Sequence, residues 1–148
     1  MSPRPKRFRR VGKPPVMTGF KPMGAPVRNL EKVSVFAEEY EAIKLADYEK
    51  LTQEEAAQRM GISRPTFTRI YESARTKVAD VLVNGKSLVF EGGDVIYDKQ
   101  WYRCSKCHIL YHEQSEKKIC PECHSDKVEN INENIMLWQQ MKNGKSKS

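Results

Sequence analysis

The four cysteines of this 148-residue chain stand as Cys104-x2-Cys107-x12-Cys120-x2-Cys123, and none is left over. A CxxC pair can turn two thiolates onto one ion, and two such turns complete a tetrahedral set of four sulfurs. Two disulfides are the rival arrangement, but a reducing compartment and the CxxC spacing favour a metal. Four thiolates accept zinc or iron by softness and geometry. One structural Zn2+ is the first expectation, with iron as the alternative. Four sulfurs leave no coordination position for a substrate, so His108, His112 and His124 read as solvated side chains rather than further ligands.

A second constellation lies at Thr52 to Ala74, TQEEAAQRMGISRPTFTRIYESA. Thr52 and Glu55 form a capping box that predicts a helix starting at Gln53. Gly61 suits a left-handed turn after it, because a residue without a Cβ enters that region without strain. Ser63 can cap the next helix, with Pro65 in its first turn. Ala56, Met60, Ile62, Phe67 and Ile70 are spaced to share one buried seam, and Ala57 is small where the helices approach. This helix-turn-helix pattern turns the start of its second helix outward, where it could enter a DNA major groove. Arg64 and Arg69 could give paired hydrogen bonds to guanine or grip phosphates. Ser63, Thr66 and Thr68 are further candidates for bases or phosphates, and Glu72 could accept from cytosine or orient an arginine. Gln53 would meet the DNA backbone. A helical hairpin used only for packing is the plain alternative, but the capping box, the glycine, the small alanine and the five apolar positions all agree on the helix-turn-helix.

Charge placement supports a polyanionic partner. Residues 1–28 carry Arg4, Lys6, Arg7, Arg9, Arg10, Lys13, Lys21 and Arg28 and no acid, while the whole chain is net +7. All of the excess therefore resides in this arm, which suits phosphate attraction. The arm could enter the minor groove, as homeodomain arms do. It is not a secretory signal, because it lacks an apolar core. No apolar run approaches the ~18 residues of a membrane span. The expected compartment is the cytoplasm.

The elements that must position these residues divide the chain into four parts. Residues 1–28 form a basic, proline-rich arm in which regular structure is not expected, although Phe8, Val16, Met17 and Phe20 could pin it to a domain. Residues 29–93 hold three helices, over 38–47, 53–60 and about 64–83. Tyr40, Ile43 and Ala46 of the first cover the seam. Residues 94–128 form the cysteine module, with strand-like stretches at 87–90 and 95–102 before it. Residues 129–148 give a short helix capped by Asn132, with Ile135, Trp138 and Met141 on one face, and a polar tail. The fold expectation is mainly α: a three-helix helix-turn-helix domain, a small β-rich four-cysteine zinc ribbon and a short C-terminal helix.

Two resemblances extend this. WYRCSKCHILYHEQSEKKICPEC (101–123) resembles zinc ribbons and the rubredoxin-like module of rubrerythrins, through Tyr102, Tyr111, the 12-residue gap and Cys120-Pro121-Glu122-Cys123. Rubredoxin-like knuckles usually carry glycine where this chain has His108 and His124, which leaves iron the lesser expectation. The phrases PRPKRFRRV (3–11), FKPMGAP (20–26), EEYEAIKLADYEKLTQEEAAQRMGISRPTFTRIYESARTKVADVLVNGKSL (38–88) and EGG (91–93) resemble the uncharacterised prokaryotic helix-turn-helix family UPF0251. The helix-turn-helix is also similar to region 4 of bacterial sigma factors. The resemblance implies a DNA-binding core and a role in transcription, and leaves the cysteine segment outside the shared part.

The expected function is a transcriptional regulator that binds double-stranded DNA, with a homodimer on a palindromic site as a fitting assembly. A metal- or redox-responsive protein or electron carrier, and an RNA-binding ribbon protein, are the alternatives. No catalytic motif stands out, so an enzyme is not expected, and no motif marks a small-molecule substrate.

Overall fold

Thr52 starts helix α2 (Gln53–Met60). Its Oγ1 accepts from the Glu55 backbone N–H at 3.1 Å, and the Glu55 carboxylate accepts from the Thr52 N–H at 3.3 Å. These bonds belong to a computed structural model that describes residues 8–24, 31–112 and 118–145. Gly61 ends α2 at φ 67° and ψ 34°. Ser63 Oγ accepts from the Thr66 N–H at 3.3 Å and starts helix α3 (Arg64–Asn84). Ala56, Met60 and Phe67 are completely buried, with Ile62 and Ile70 packed beside them. Satisfied caps at both sides of the turn and a shared apolar seam fix the two helices against each other.

Helix α1 (Ala37–Ile43) lies across α3 and continues into a π-helical turn, Lys44–Tyr48. Its three early glutamates are buried, not exposed at a helix end. Glu39 accepts from the Phe36 N–H at 2.8 Å, from Ser73 Oγ at 2.6 Å and from Lys77 Nζ at 2.7 Å. A carboxylate taken out of water needs this many donors. Lys77 Nζ also stands 3.9 Å from the centre of the Phe36 ring.

The architecture is mixed α/β, which corrects the expectation of a mainly α chain with a three-helix domain. Among the described residues, four α-helices are interleaved with strands in three small sheets. Strand β1 (Arg9–Val11) pairs in parallel with β5 (Val95–Tyr97). Strands β2 (Gly19–Phe20), β4 (Ser87–Phe90) and β3 (Lys32–Val35) form the second sheet in the order β2-β4-β3, antiparallel and then parallel. Strands β7 (Leu110–His112), β6 (Trp101–Cys104) and β8 (Val128–Asn130) form the third, antiparallel throughout. Arg9, Arg10 and Val11 are therefore ordered strand residues, and Val11 lies in the hydrophobic core beside Ala42, Leu45 and Phe67. The physical reason is non-local: parallel partners cannot be sequence neighbours, so a short strand such as β1 has no local signal. Arg4, Lys6 and Arg7 lie outside the described residues.

Two glycines permit close packing, Gly92 against the last helix and Gly93 against α1. A Cβ at Gly92 (φ +78°) would run into the Trp138 ring, and one at Gly93 (φ +129°) would stand 2.5 Å from Glu38 Oε1. Trp138 belongs to α4 (Ile131–Lys145), and its ring packs on Phe36 with centroids 5.5 Å apart. The α4 cap is Asn130, whose Oδ1 accepts from the Glu133 N–H at 3.1 Å. Asn132, the expected cap, instead accepts from the Trp101 N–H at 3.0 Å. Among the described residues no helix is long and apolar enough to cross a membrane.

Candidate metal centre and the outward face of α3

Strand β6 delivers Cys104 to the start of the first knuckle, and Cys120 starts the second. The two turns repeat one another. His108 N–H donates to the Cys104 carbonyl and His124 N–H to the Cys120 carbonyl, both at 3.0 Å. His108 has φ 66° and His124 φ 61°, so each holds the left-handed position that closes its knuckle. Histidine tolerates that region better than most side chains do.

Within each turn, backbone donors aim at the first sulfur. Cys104 Sγ receives the N–H of Lys106 at 3.3 Å and of Cys107 at 3.4 Å. Cys120 Sγ receives those of Glu122 and Cys123, both at 3.4 Å. Such donors favour thiolate over thiol. The Cys107 N–H is the leading cause that lowers the Cys104 thiol to about 6, against the opposing effect of burial. All four Sγ atoms lie within 4.8 Å of one another, and the Cys104–Cys123 and Cys107–Cys120 pairs are 3.5 Å apart. Metal–sulfur bonds of ~2.3 Å in a tetrahedron put sulfurs about 3.8 Å apart. The four cysteines are free, and the set fits one metal ion.

The ribbon histidines stay out of this set. His108, His112 and His124 are exposed, and the His112 ring stands edge-on to Trp101 with centroids 5.1 Å apart. Tyr102 and Tyr111, paired across β6 and β7, stack with centroids 5.6 Å apart.

The helix residues singled out for DNA divide into two groups. Arg64, Arg69 and Glu72 are exposed on the N-terminal half of α3. Ser63, Thr66, Thr68 and Gln53 are engaged locally. Ser63 Oγ donates to Thr66 Oγ1 at 2.9 Å, and Arg69 Nη2 donates to the same oxygen at 3.3 Å. Thr68 Oγ1 donates to Gln53 Oε1 at 2.5 Å, tying α3 to α2. Arg10 of β1 reaches the turn that joins the two helices. A Cβ built at Gly61 would lie 3.3 Å from Arg10 Nε, so the guanidinium crosses the α2–α3 turn. Arg9 turns to Asp94 at 3.8 Å instead. Strand alternation explains the split, since neighbours in a strand point to opposite faces.

The description "Protein of unknown function DUF134" fits residues 1–98. A UPF0251 protein of Chloroherpeton thalassium is 48% identical over 131 residues, covering 87% of each chain. The chain belongs to the UPF0251 family. The relative from Moorella thermoacetica is 50% identical over 127 residues, covering 85% of each chain. That from Halothermothrix orenii is 43% identical over 132 residues, with 85% of this chain and 98% of the relative covered. Matches this long within 148 residues necessarily take in positions 104–123, so the similarity is not confined to the part before the cysteines. No solved structure matches the chain.

Proposed function

We propose that this UPF0251 protein is a DNA-binding transcriptional regulator that reads double-stranded DNA with α2, the Gly61 turn and α3. The observation that carries the reading is the exposure of Arg64, Arg69 and Glu72 at the N-terminal half of a helix whose other face is locked to α2. That is the part of a recognition helix that meets base edges. Arg64 and Arg69 are the base-reading or phosphate-gripping residues. Gln53 and Thr68, bonded to each other, present their remaining polar capacity to the backbone. Ser63 and Thr66 hold the start of α3 and orient Arg69.

The arm contributes through Arg10, which lies at the turn, and through Arg4, Lys6 and Arg7, which precede a fixed strand. The four thiolates hold one structural Zn2+: four sulfurs close a tetrahedron and leave no position for chemistry. A homodimer on a palindromic site supplies the length of recognition that one short reading helix lacks.

Selection of bound duplexes from a random-sequence pool by the zinc-loaded full chain tests this reading. The expected outcome is enrichment of one short motif, with binding to it far tighter than to the starting pool. A pool that stays random while binding retains its affinity would leave only phosphate attraction. Preferential capture of RNA over the matching DNA would overturn the reading.

A further inference from the structure

Between the arm, α1 and α4 lies a cavity of about 250 Å3. Drug-sized ligands start to fit at ~300 Å3, so this space suits only a smaller molecule. Four aromatic rings, Tyr40, Phe90, Tyr97 and Trp138, wall it. Tyr40 and Phe90 stand edge to face at 5.3 Å. Trp138 is held by Phe36 on one side and by Lys142, whose Nζ is 5.2 Å from the ring centre. Tyr40 and Phe90 brace each other and Phe36 braces Trp138, so an apolar ring entering between them orders little.

One cation enters the wall. Arg103 of β6 is half-buried and lines the cavity. Its Nη2 donates to the Pro15 carbonyl at 2.5 Å, and its Nε is buried with no hydrogen-bond partner. Among the described residues no carboxylate comes within ion-pair distance of it. Glu129, its cross-strand partner, attracts it without making such a pair. Glu91 also lines the cavity, but Ser34 takes its carboxylate at 2.5 Å and Lys32 at 3.2 Å. A half-buried guanidinium with one carbonyl for company has unused donors in a planar fork, whose complement is a carboxylate. The nearby Glu91 and Glu129 charges limit that complement to a single negative charge.

We propose that this cavity binds a small aromatic monocarboxylate, with its carboxylate on Arg103 and its ring among Tyr40, Phe90, Tyr97 and Trp138. The site is separate from the thiolates, because Arg103 and Cys104 are successive strand residues and point to opposite faces. It is also separate from the outward face of α3, so it stands whether or not that face reads DNA.

Calorimetric titration of the zinc-loaded full chain with phenylacetate, and with phenylacetamide of the same shape, tests the proposal. Phenylacetate binds saturably, and the uncharged amide binds at least about tenfold more weakly, the loss expected when a charge-assisted hydrogen bond goes. Arg103→Gln abolishes the preference for the acid. The acid–amide pair on the unaltered protein keeps the test decisive if that variant folds poorly. Equal binding of acid and amide overturns the proposal. So does the absence of saturable binding by phenylacetate, benzoate and indole-3-acetate at millimolar concentration.

Discussion

The Arg10 guanidinium lies over Gly61, with its Nε 3.3 Å and its Nη2 3.7 Å from where a Cβ would stand. The basic arm is thus tied, at its tenth residue, to the turn between α2 and α3. If this face meets DNA, Arg10 is placed to touch a phosphate beside the groove that α3 enters. Arg10→Ala should lower the slope of log K against log salt by about 0.9, the share of one phosphate contact. Removing residues 1–7 should flatten it further, and it leaves β1 in place. Removing residues 1–13 is a poorer test, because it also takes the buried Val11. An unchanged slope in both variants would leave the arm without a phosphate role.

Gly92 and Gly85 offer a matched pair for stability. Both have positive φ, at 78° and 63°. A Cβ at Gly85 meets nothing within 4 Å, while one at Gly92 runs into Trp138. Gly85→Ala should cost only the backbone strain of about 1–2 kcal/mol. Gly92→Ala adds the displacement of a ring held in a helix, about 1–3 kcal/mol more. Urea unfolding of the two variants checks the order, and equal losses would show that α4 yields freely.

Glu38 gives a pH signature. Burial is the leading cause that raises its pKa above the ordinary 4.5, opposed by the Asp94 N–H that donates to Oε2 at 3.1 Å. Its Oε1 is buried without a hydrogen-bond partner. A carboxyl whose folded pKa is raised binds more protons folded than unfolded, so stability falls as pH rises from 4.5 through the folded value. Glu38→Gln removes that loss. The variant should gain stability relative to the parent as pH rises above 4.5, read as melting temperature against pH. Parallel curves would show that the Glu38 charge is not penalised in the folded chain.

The metal centre predicts one Zn2+ per chain and a colourless protein. Cys107→Ser should weaken binding strongly and loosen the β7-β6-β8 sheet, because the first knuckle begins at Cys104, the last residue of β6, and leads into β7. Affinity should fall as pH is lowered, since protons compete for the thiolates. Metal analysis and titration with a chromophoric chelator check this. A red protein carrying iron would replace zinc with the iron alternative.

Helices α2 and α3 were legible in the sequence because their signals are local. Thr52, Glu55, Gly61, Ser63 and Pro65 mark ends that fall where the spacing places them, and Cys104 to Cys123 announce their cluster by spacing alone. The strands of the arm were not legible. Arg9–Val11 becomes a strand only by pairing with Val95–Tyr97, far along the chain, and the arm's prolines and glycines argued against order. The burial of Glu38, Glu39 and Glu41 was also hidden, because acidic residues early in a helix suit its dipole whether exposed or not. Their partners, such as Lys77 and Asp94, are distant in sequence. Arg103 gave no signal either, since its contact with Pro15 spans 88 positions.

The most direct test of the central claim compares one variant on two duplexes. Affinities of the parent and Arg69→Ala are measured on a selected site and on a scrambled duplex of the same length, at one salt concentration. Base reading by α3 predicts that the variant loses about 1–3 kcal/mol on the selected site and little on the scrambled one. Equal loss on both duplexes, or none on either, would contradict it.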